Sequence, residues 1–222
     1  MDKLKNVKYV IFNCDNTLLI HRKDEAKMLA NVLDMPYSSE FKKQYYFMLQ
    51  HSYIYFETQK VKFKKFTQLV DICMPILIKH KISADEFIKV WFSLNCCFMN
   101  EDTIDVLNYL QVKDYKIIIL TDTFYEKQNK LLEYFDISSY ITDLYSVDNH
   151  YLKRNPKSVS RVITSNNKDD YIMIGNSLEH DIAFARNAGI RSIWFNPEYK
   201  NNNTKFRPTI EISSLLHICR IL

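Results

Sequence analysis

The chain has 222 residues, of which 47% are hydrophobic and 25% are charged, and its formal net charge is +4. This composition predicts a folded protein with a buried core and excludes a disordered chain. Basic and acidic residues are interspersed, which favours a solvated surface over a nucleic-acid interface. No stretch reaches the roughly 18 apolar residues that a membrane helix needs, and the amino terminus has no secretory pattern.

The cysteines indicate a reducing environment. There are five of them, an odd number without a repeated spacing, which argues against a disulfide framework. Because the sequence has no C-x-x-C pair and no matching histidine pair, its spacing predicts no zinc site. We therefore expect a cytoplasmic protein with reduced cysteines.

The first half of the chain is predicted to be one short strand followed by helices. An apolar strand at residues 7–12 ends in the polar sequence N-C-D-N-T. From about residue 21 to residue 110, apolar residues recur at spacings of three and four, which predicts helices and no strand. Two amphipathic helices are expected, in "SSEFKKQYYFMLQHSYIYF" and in "FKKFTQLVDICMPILIKH". Ser83 and Glu86 form a capping-box pattern before "FIKVWFSL".

Strands and helices alternate after residue 116. Strands are predicted in "KIIIL", "DLYSV", "YIMIG" and "RSIWF", and helices in "KQNKLLEYF", "PKSVSRVI", "SLEHDIAFARNAG" and residues 214–222. Thr123 and Glu126 form a second capping-box pattern, and Gly189 is the expected C-cap of its helix. The alternation predicts an α/β fold, a Rossmann-like parallel sheet core with an inserted all-helical cap. The predicted core covers residues 1–20 and 105–222, and the predicted cap covers residues 21–104.

Polar clusters follow three of the predicted strands, at residues 13–17, 121–123 and 176–181. In open parallel sheets, ligands bind at the carboxyl ends of the strands. We therefore expect these clusters to meet in one functional site.

The clusters resemble, in order, the motifs of the haloacid dehalogenase-like (HAD) superfamily of phosphatases. The first motif, D-x-D-x-T after an apolar strand, is matched by N-C-D-N-T, and the second by Thr121. The third is matched by Lys153 in "KRNP" and the fourth by "GNSLEHD". The tail "AGIRSIWFNP" is most similar to the branch of pyrimidine nucleotidases and small-phosphoester phosphatases.

The resemblance implies a Mg²⁺-dependent site for a phosphorylated small molecule. Position 13 is the nucleophile position, Asp15 the general acid and base, and Lys153 a catalytic phosphate binder. The implied substrate-binding residues are Thr17, Thr121, Asp122, Lys153 and Ser177. The implied metal positions are Asn13, Asp15, Asn176 and Asp181.

Two of the most demanding positions depart from the family pattern. Asn13 is a neutral amide, so it cannot form a phosphoaspartyl intermediate. Asn176 is neutral as well, and Mg²⁺ prefers charged oxygen ligands, so magnesium binding should be weakened or absent. Cys14 is expected to face the core, because neighbouring side chains on an extended segment point to opposite faces. We therefore predict a catalytically dead or strongly impaired phosphatase homologue.

Three functions stay open on these grounds. The first is a pseudophosphatase with a binding or regulatory role, in which Asp15 could still activate water weakly. The second is an active phosphatase of small phosphoesters or nucleotides whose two aspartates were changed to asparagine. The third is an interaction module that uses the basic, aromatic segment at residues 60–66, although an amphipathic cap helix explains that segment more simply. The expected partners are a phosphorylated small molecule or a protein; nucleic acid and membrane are not expected.

Overall fold

A computed structural model describes residues 4–22, 24–58, 66–149 and 151–222. The chain divides into two compact units. The core unit comprises Met1–Ile20 and Phe98–Leu222, and the insert unit comprises His21–Cys97. The predicted insertion starts at the same residue and was expected to end later, at residue 104.

The described residues contain eight strands and ten α-helices. The strands are β1 Tyr9–Phe12, β2 Leu19–His21, β3 Cys97–Met99, β4 Lys116–Leu120, β5 Asp143–Tyr145, β6 Tyr171–Gly175, β7 Arg191–Phe195 and β8 Ile210–Ile212. The helices are α1 Glu25–Val32, α2 Ser39–Thr58, α3 Phe66–Cys73, α4 Ile76–Lys79, α5 Ala84–Ser93, α6 Thr103–Val112, α7 Tyr125–Tyr134, α8 Lys157–Val162, α9 Ala183–Ala188 and α10 Ile218–Ile221. A π-helical turn, Leu178–Ile182, precedes α9.

The core unit is built on a six-stranded sheet in the order β5-β4-β1-β6-β7-β8. Every neighbouring pair is parallel, as the alternation of strands and helices predicts. In the centre, Ile11 of β1 pairs with Ile118 of β4 on one side and with Met173 of β6 on the other. These side chains are buried with Phe184 of α9. The predicted fold class, an α/β parallel sheet, is confirmed.

The insert unit is helical in its described part. Helix α2 contacts α1, α3 and α4, and α5 contacts α1 and α3. Its interior is made of large apolar side chains, among them Leu29, Phe41, Met48, Leu69 and Phe87. No helix in the described ranges has the length and apolar character needed to cross a bilayer.

Some predicted elements are wrong in detail. Strand β3 lies in the region where no strand was expected, and it pairs with β2 in a separate two-stranded sheet. The second amphipathic helix is split into α3 and α4, because Pro75 lacks the N–H that a continuous helix needs. Residues 60–65 of the basic segment lie outside the described residues.

The helix ends test the predicted caps. Ser83 caps α5 by accepting a hydrogen bond from the Glu86 backbone N–H at 3.2 Å, as predicted. Gly189 ends α9 in the left-handed conformation with φ 67°, which also confirms its prediction. The second capping box is wrong, because α7 follows Phe124 and has no side-chain cap. Thr123 has a different partner, described below.

Candidate functional site

Three neighbouring strands of the sheet carry predicted site residues at their carboxyl ends. Asn13 follows β1, Thr121 follows β4 and Asn176 follows β6. Since β1 lies between β4 and β6, residues far apart in the sequence meet at one edge of the sheet. Hydrogen bonds connect all nine predicted site residues, directly or through one another, but with different partners for each.

Asn13 is the centre of this network, and its side chain is almost fully buried. Its amide nitrogen Nδ2 donates to the Asp15 backbone oxygen at 2.6 Å and to Asn176 Oδ1 at 2.9 Å. Thr17 Oγ1 lies 3.5 Å from the same nitrogen. Its oxygen Oδ1 accepts a hydrogen bond from Lys153 Nζ at 2.7 Å. Both ends of the amide are therefore engaged by groups of the site.

Lys153 forms a buried ion pair with Asp181. Its Nζ lies 2.8 Å from Asp181 Oδ1, and the two side chains are 3% and 0% exposed. The other Asp181 oxygen accepts a hydrogen bond from the Ser177 backbone N–H at 2.9 Å. Burial lowers the pKa of Lys153, but Asp181 and then Asp122 outweigh it, so the net shift is upward. Lys153 therefore stays protonated and donates to Asn13 and Asp181.

Asp15 is held from the neighbouring strand end by two threonines. Thr123 Oγ1 donates to Asp15 Oδ2 at 2.8 Å, and Thr121 Oγ1 lies 3.5 Å from the same oxygen. Thr121 Oγ1 also accepts a hydrogen bond from the Thr123 backbone N–H at 3.1 Å. From the capping-box pattern alone, Thr123 was expected to be a helix cap. The signal that could have identified it is T-x-T after β4, since alternate residues of an extended segment share a face.

Asp122 connects the second and fourth motifs. It accepts hydrogen bonds from the Lys153 backbone N–H and from His180 Nδ1, both at 2.9 Å. Burial raises its pKa, but the hydrogen bond from His180 and the charge of Lys153 outweigh burial, and the net shift is downward. Sequence reasoning missed His180, because a histidine in a helical turn gives no hint of a partner so far away in sequence.

Ser177 and Gly175 shape the turn after β6. The Ser177 hydroxyl accepts a hydrogen bond from the His180 backbone N–H at 3.2 Å and so caps the π-helical turn. Gly175 has no side chain, and a Cβ there would overlap the Asp181 carboxyl group. The turn therefore brings Asp181 against the end of β6. That Ser177 and Asp122 bind substrate stays a prediction.

Cys14 is fully buried, as expected from its position between Asn13 and Asp15. Burial, and after it the charge of Asp15, raises the pKa of the Cys14 thiol well above its ordinary value. The thiolate is the nucleophilic form of cysteine, and this environment disfavours it. Cys14 is therefore unsuited to replace a missing nucleophile.

The donor set is a poor fit for a magnesium ion. Mg²⁺ needs several oxygen ligands, usually with one or two carboxylates among them. Two of the four implied metal positions are neutral amides, and Asp181 is paired with Lys153. The Asp15 backbone oxygen and Asn176 Oδ1 both accept hydrogen bonds from Asn13 Nδ2, a group that repels a cation.

The family assignment rests on the sequence as well as on the fold. Residues 10–195 match the family model described as haloacid dehalogenase-like hydrolase. The chain belongs to this family. The predicted HAD membership is therefore confirmed. Members of this family generally depend on magnesium.

One curated relative is similar to part of the chain. The pyrimidine 5'-nucleotidase PynA of Streptococcus pneumoniae is 29% identical over 115 residues, which cover 50% of this chain and 48% of that protein. The match therefore spans about half the length of the relative.

Solved structures share the fold along nearly the whole chain. The HAD-hydrolase YfnB from Bacillus subtilis, bound to magnesium, has a TM-score of 0.73 at 21% identity, with 98% and 99% of the two chains covered. A HAD phosphatase from Thermococcus onnurineus has a TM-score of 0.67 at 19% identity, with 97% of each chain covered. The 2-haloacid dehalogenase from Pseudomonas syringae pv. Tomato DC3000 has a TM-score of 0.70 at 18% identity, with 97% of each chain covered. At these identities the likeness concerns the fold alone.

Proposed function

We propose that this chain is a pseudophosphatase, a member of the HAD hydrolase family that has lost phosphoaspartyl chemistry and serves a binding or regulatory role. One observation carries the proposal: the Asn13 amide donates to Asn176 and accepts from Lys153. A carboxylate in its place could attack phosphorus, whereas a neutral amide is too weak a nucleophile to form the covalent intermediate.

The proposal extends to the metal. In the family's chemistry, magnesium neutralises charge between the nucleophile and the acid of the fourth motif. Here Asn13 Nδ2 and Asn176 Oδ1 make a direct hydrogen bond of 2.9 Å, so no positive ion is needed to hold these side chains together. The amide pair takes over the structural part of the ion's role without its charge.

The charge of the site also argues against efficient phosphate chemistry. The contacts described above join one buried lysine, Lys153, with three aspartates, Asp15, Asp122 and Asp181. A phosphate dianion entering this cluster without a divalent cation would meet net negative charge. The site therefore favours a binding role over turnover of phosphomonoesters.

The first experiment measures hydrolysis of an aryl phosphate and of nucleoside monophosphates with Mg²⁺. We expect negligible turnover by the native chain, since loss of a covalent nucleophile removes several powers of ten in rate. The double variant Asn13→Asp with Asn176→Asp should gain activity if the remaining pocket is intact. The matched control, Asn31→Asp with Asn203→Asp, makes the same charge change at exposed residues and should stay inactive. Native turnover as fast as that of the double variant would contradict the proposal.

A second candidate function, slow hydrolysis without a covalent intermediate, rests on the position of Asp15. Thr123 and Thr121 hold its carboxylate at the edge of the sheet, where it could act as a general base on water. A residual turnover that needs no magnesium and disappears in Asp15→Asn would select this candidate. Turnover that survives Asp15→Asn would reject it.

A further inference from the structure

The insert unit brings together one histidine and two cysteines. His21, at its first position, and Cys96 and Cys97, at its last two, place one ligand atom each within 4.8 Å of one another. The Arg22 backbone N–H donates to the Cys96 backbone oxygen at 2.7 Å and aligns the two ends of the unit. Cys96 and Cys97 are buried and His21 is half-buried.

The spacing of the ligand atoms suits a thiophilic ion. Zinc binds cysteine sulfur at about 2.3 Å and histidine nitrogen at about 2.0 Å in tetrahedral geometry, which separates a sulfur from a nitrogen by roughly 3.5 Å. Cys96 Sγ lies 3.7 Å from His21 Nδ1. A thiol–imidazole hydrogen bond at this distance would use one cysteine, whereas a metal ion would use the neighbouring Cys97 as well.

A buried tyrosine lies in the neighbourhood of the cluster. Tyr45, in helix α2, is fully buried. Burial raises its pKa first, and the charge and a hydrogen bond of Glu25 and then the charge of Cys96 raise it further. The Glu25 carboxylate and Cys96 therefore act on the same buried hydroxyl.

The neighbourhood also carries the charge that a cation prefers. Glu25 is oriented by the Trp91 indole, whose Nε1 donates to Glu25 Oε1 at 3.2 Å. A carboxylate in the same neighbourhood adds negative charge, which favours a dication, and each thiol must lose its proton to bind metal. Three protein ligands leave one position of a tetrahedral ion for an oxygen ligand.

We propose that His21, Cys96 and Cys97 form a binding site for one Zn²⁺ ion. The ion replaces the two thiol protons, which pass to solvent, and an oxygen takes the fourth coordination position. Bound there, it joins the two ends of the insert unit. The proposal does not depend on the chemistry of the core unit.

Cobalt is a suitable probe, because its complexes with thiolates absorb in the near ultraviolet whereas those of zinc are colourless. The reduced full-length protein is titrated with Co²⁺ under anaerobic conditions, and Zn²⁺ is then added. We expect one equivalent of cobalt with a thiolate charge-transfer band, which zinc abolishes. Zinc should also raise the melting temperature of the protein.

The variants assign the ligands. Cys97→Ser and His21→Asn should lose the band and the thermal shift. The matched control is Cys73→Ser, which changes another buried cysteine of the same unit outside the cluster and should keep both. Circular dichroism checks that each variant is folded. The proposal is overturned if the native protein shows no band, if the band survives in folded Cys97→Ser or His21→Asn, or if Cys73→Ser abolishes it.

Discussion

The side chain at position 13 differs from the family pattern by one chemical group, an amide in place of a carboxylate. An aspartate would present two acceptor oxygens, whereas asparagine presents one acceptor and one donor. The donor, Nδ2, lies 2.9 Å from Asn176 Oδ1, so the second amide supplies the acceptor that the first requires. Two carboxylates at this separation would repel each other. The two asparagines are therefore physically complementary, and a single return to aspartate should disturb the pair.

Asp122 provides a pH-dependent prediction at the same scale. Its folded-state pKa is lowered, so its contribution to stability is complete above the ordinary aspartate value of about 3.9 and is lost as pH falls through the lower folded-state value. Asp122→Asn should lower the free energy of unfolding at neutral pH by about 1.5 kcal/mol, since it weakens a partly buried hydrogen bond to a charged group. Urea unfolding over a series of pH values measures this difference, which should shrink in acid.

The control for this prediction is Asp114→Asn. Asp114 is exposed and forms a surface ion pair with Lys116, which should contribute less than about 1 kcal/mol. A loss at Asp122 that is the same at acidic and neutral pH would contradict the linkage. An equal loss in Asp114→Asn would mean that the measurement reports general charge effects.

The end of β6 and the π-helical turn that follows it together position Asp181. The turn brings Asp181 back over Gly175 and against Lys153, and Ser177 caps it. The absence of a side chain at Gly175 makes the close approach possible. This explains why one of the chain's two glycines stands there, with Gly189 as the other.

Gly175→Ala should therefore damage the site, because the new Cβ would overlap the Asp181 carboxyl group, which is fully buried and hydrogen-bonded to Lys153 and the Ser177 backbone N–H. We expect a loss of about 3 kcal/mol in the free energy of unfolding. Gly189→Ala is the matched control: no atom lies within 4 Å of the new Cβ, so only its positive φ is unfavourable. That variant should lose about 1 kcal/mol. Equal losses in chemical denaturation would show that overlap with Asp181 is unimportant.

For the whole molecule, the parallel sheet decides which residues meet. Three neighbouring strands end at one edge and carry side chains from positions 13, 121 and 176, to which the turn at Lys153 adds the cation. The family's magnesium site depends on the same convergence. At that edge the two asparagines place neutral amides where the family pattern has acids.

Thermal unfolding with and without Mg²⁺ tests this separation of fold from metal binding. The native chain should show no magnesium-dependent rise in melting temperature beyond that of sodium chloride at matched ionic strength. Asn13→Asp with Asn176→Asp should rise by about 5 °C or more at hundredfold excess of Mg²⁺ over its dissociation constant. A comparable rise in the native chain would refute the proposed loss of the metal site.

Much of the core could be predicted because its signals are local. The strands β4, β6 and β7 are short, mostly apolar runs, and Gly189 is a glycine after a helical pattern. Strand β3 was missed because its three residues pair only with distant β2, and a helical periodicity surrounds them. Whether these residues form a strand or part of a helix depends on their pairing with β2.

The sequence by itself determined the fold class, the order of the motifs and the two amides at acidic positions, because residue identity and short-range pattern carry that information. Only the tertiary structure decided that Asn13 hydrogen-bonds Asn176, that Thr123 holds Asp15 and that His180 reaches Asp122. The tertiary structure also brings His21 close to Cys96 and Cys97, although the spacing of these residues in the sequence predicted no zinc site. The physical reason is the same in each case: such contacts form between residues distant in the chain, and of these only the position of Thr123 has a local signal, the T-x-T spacing after β4.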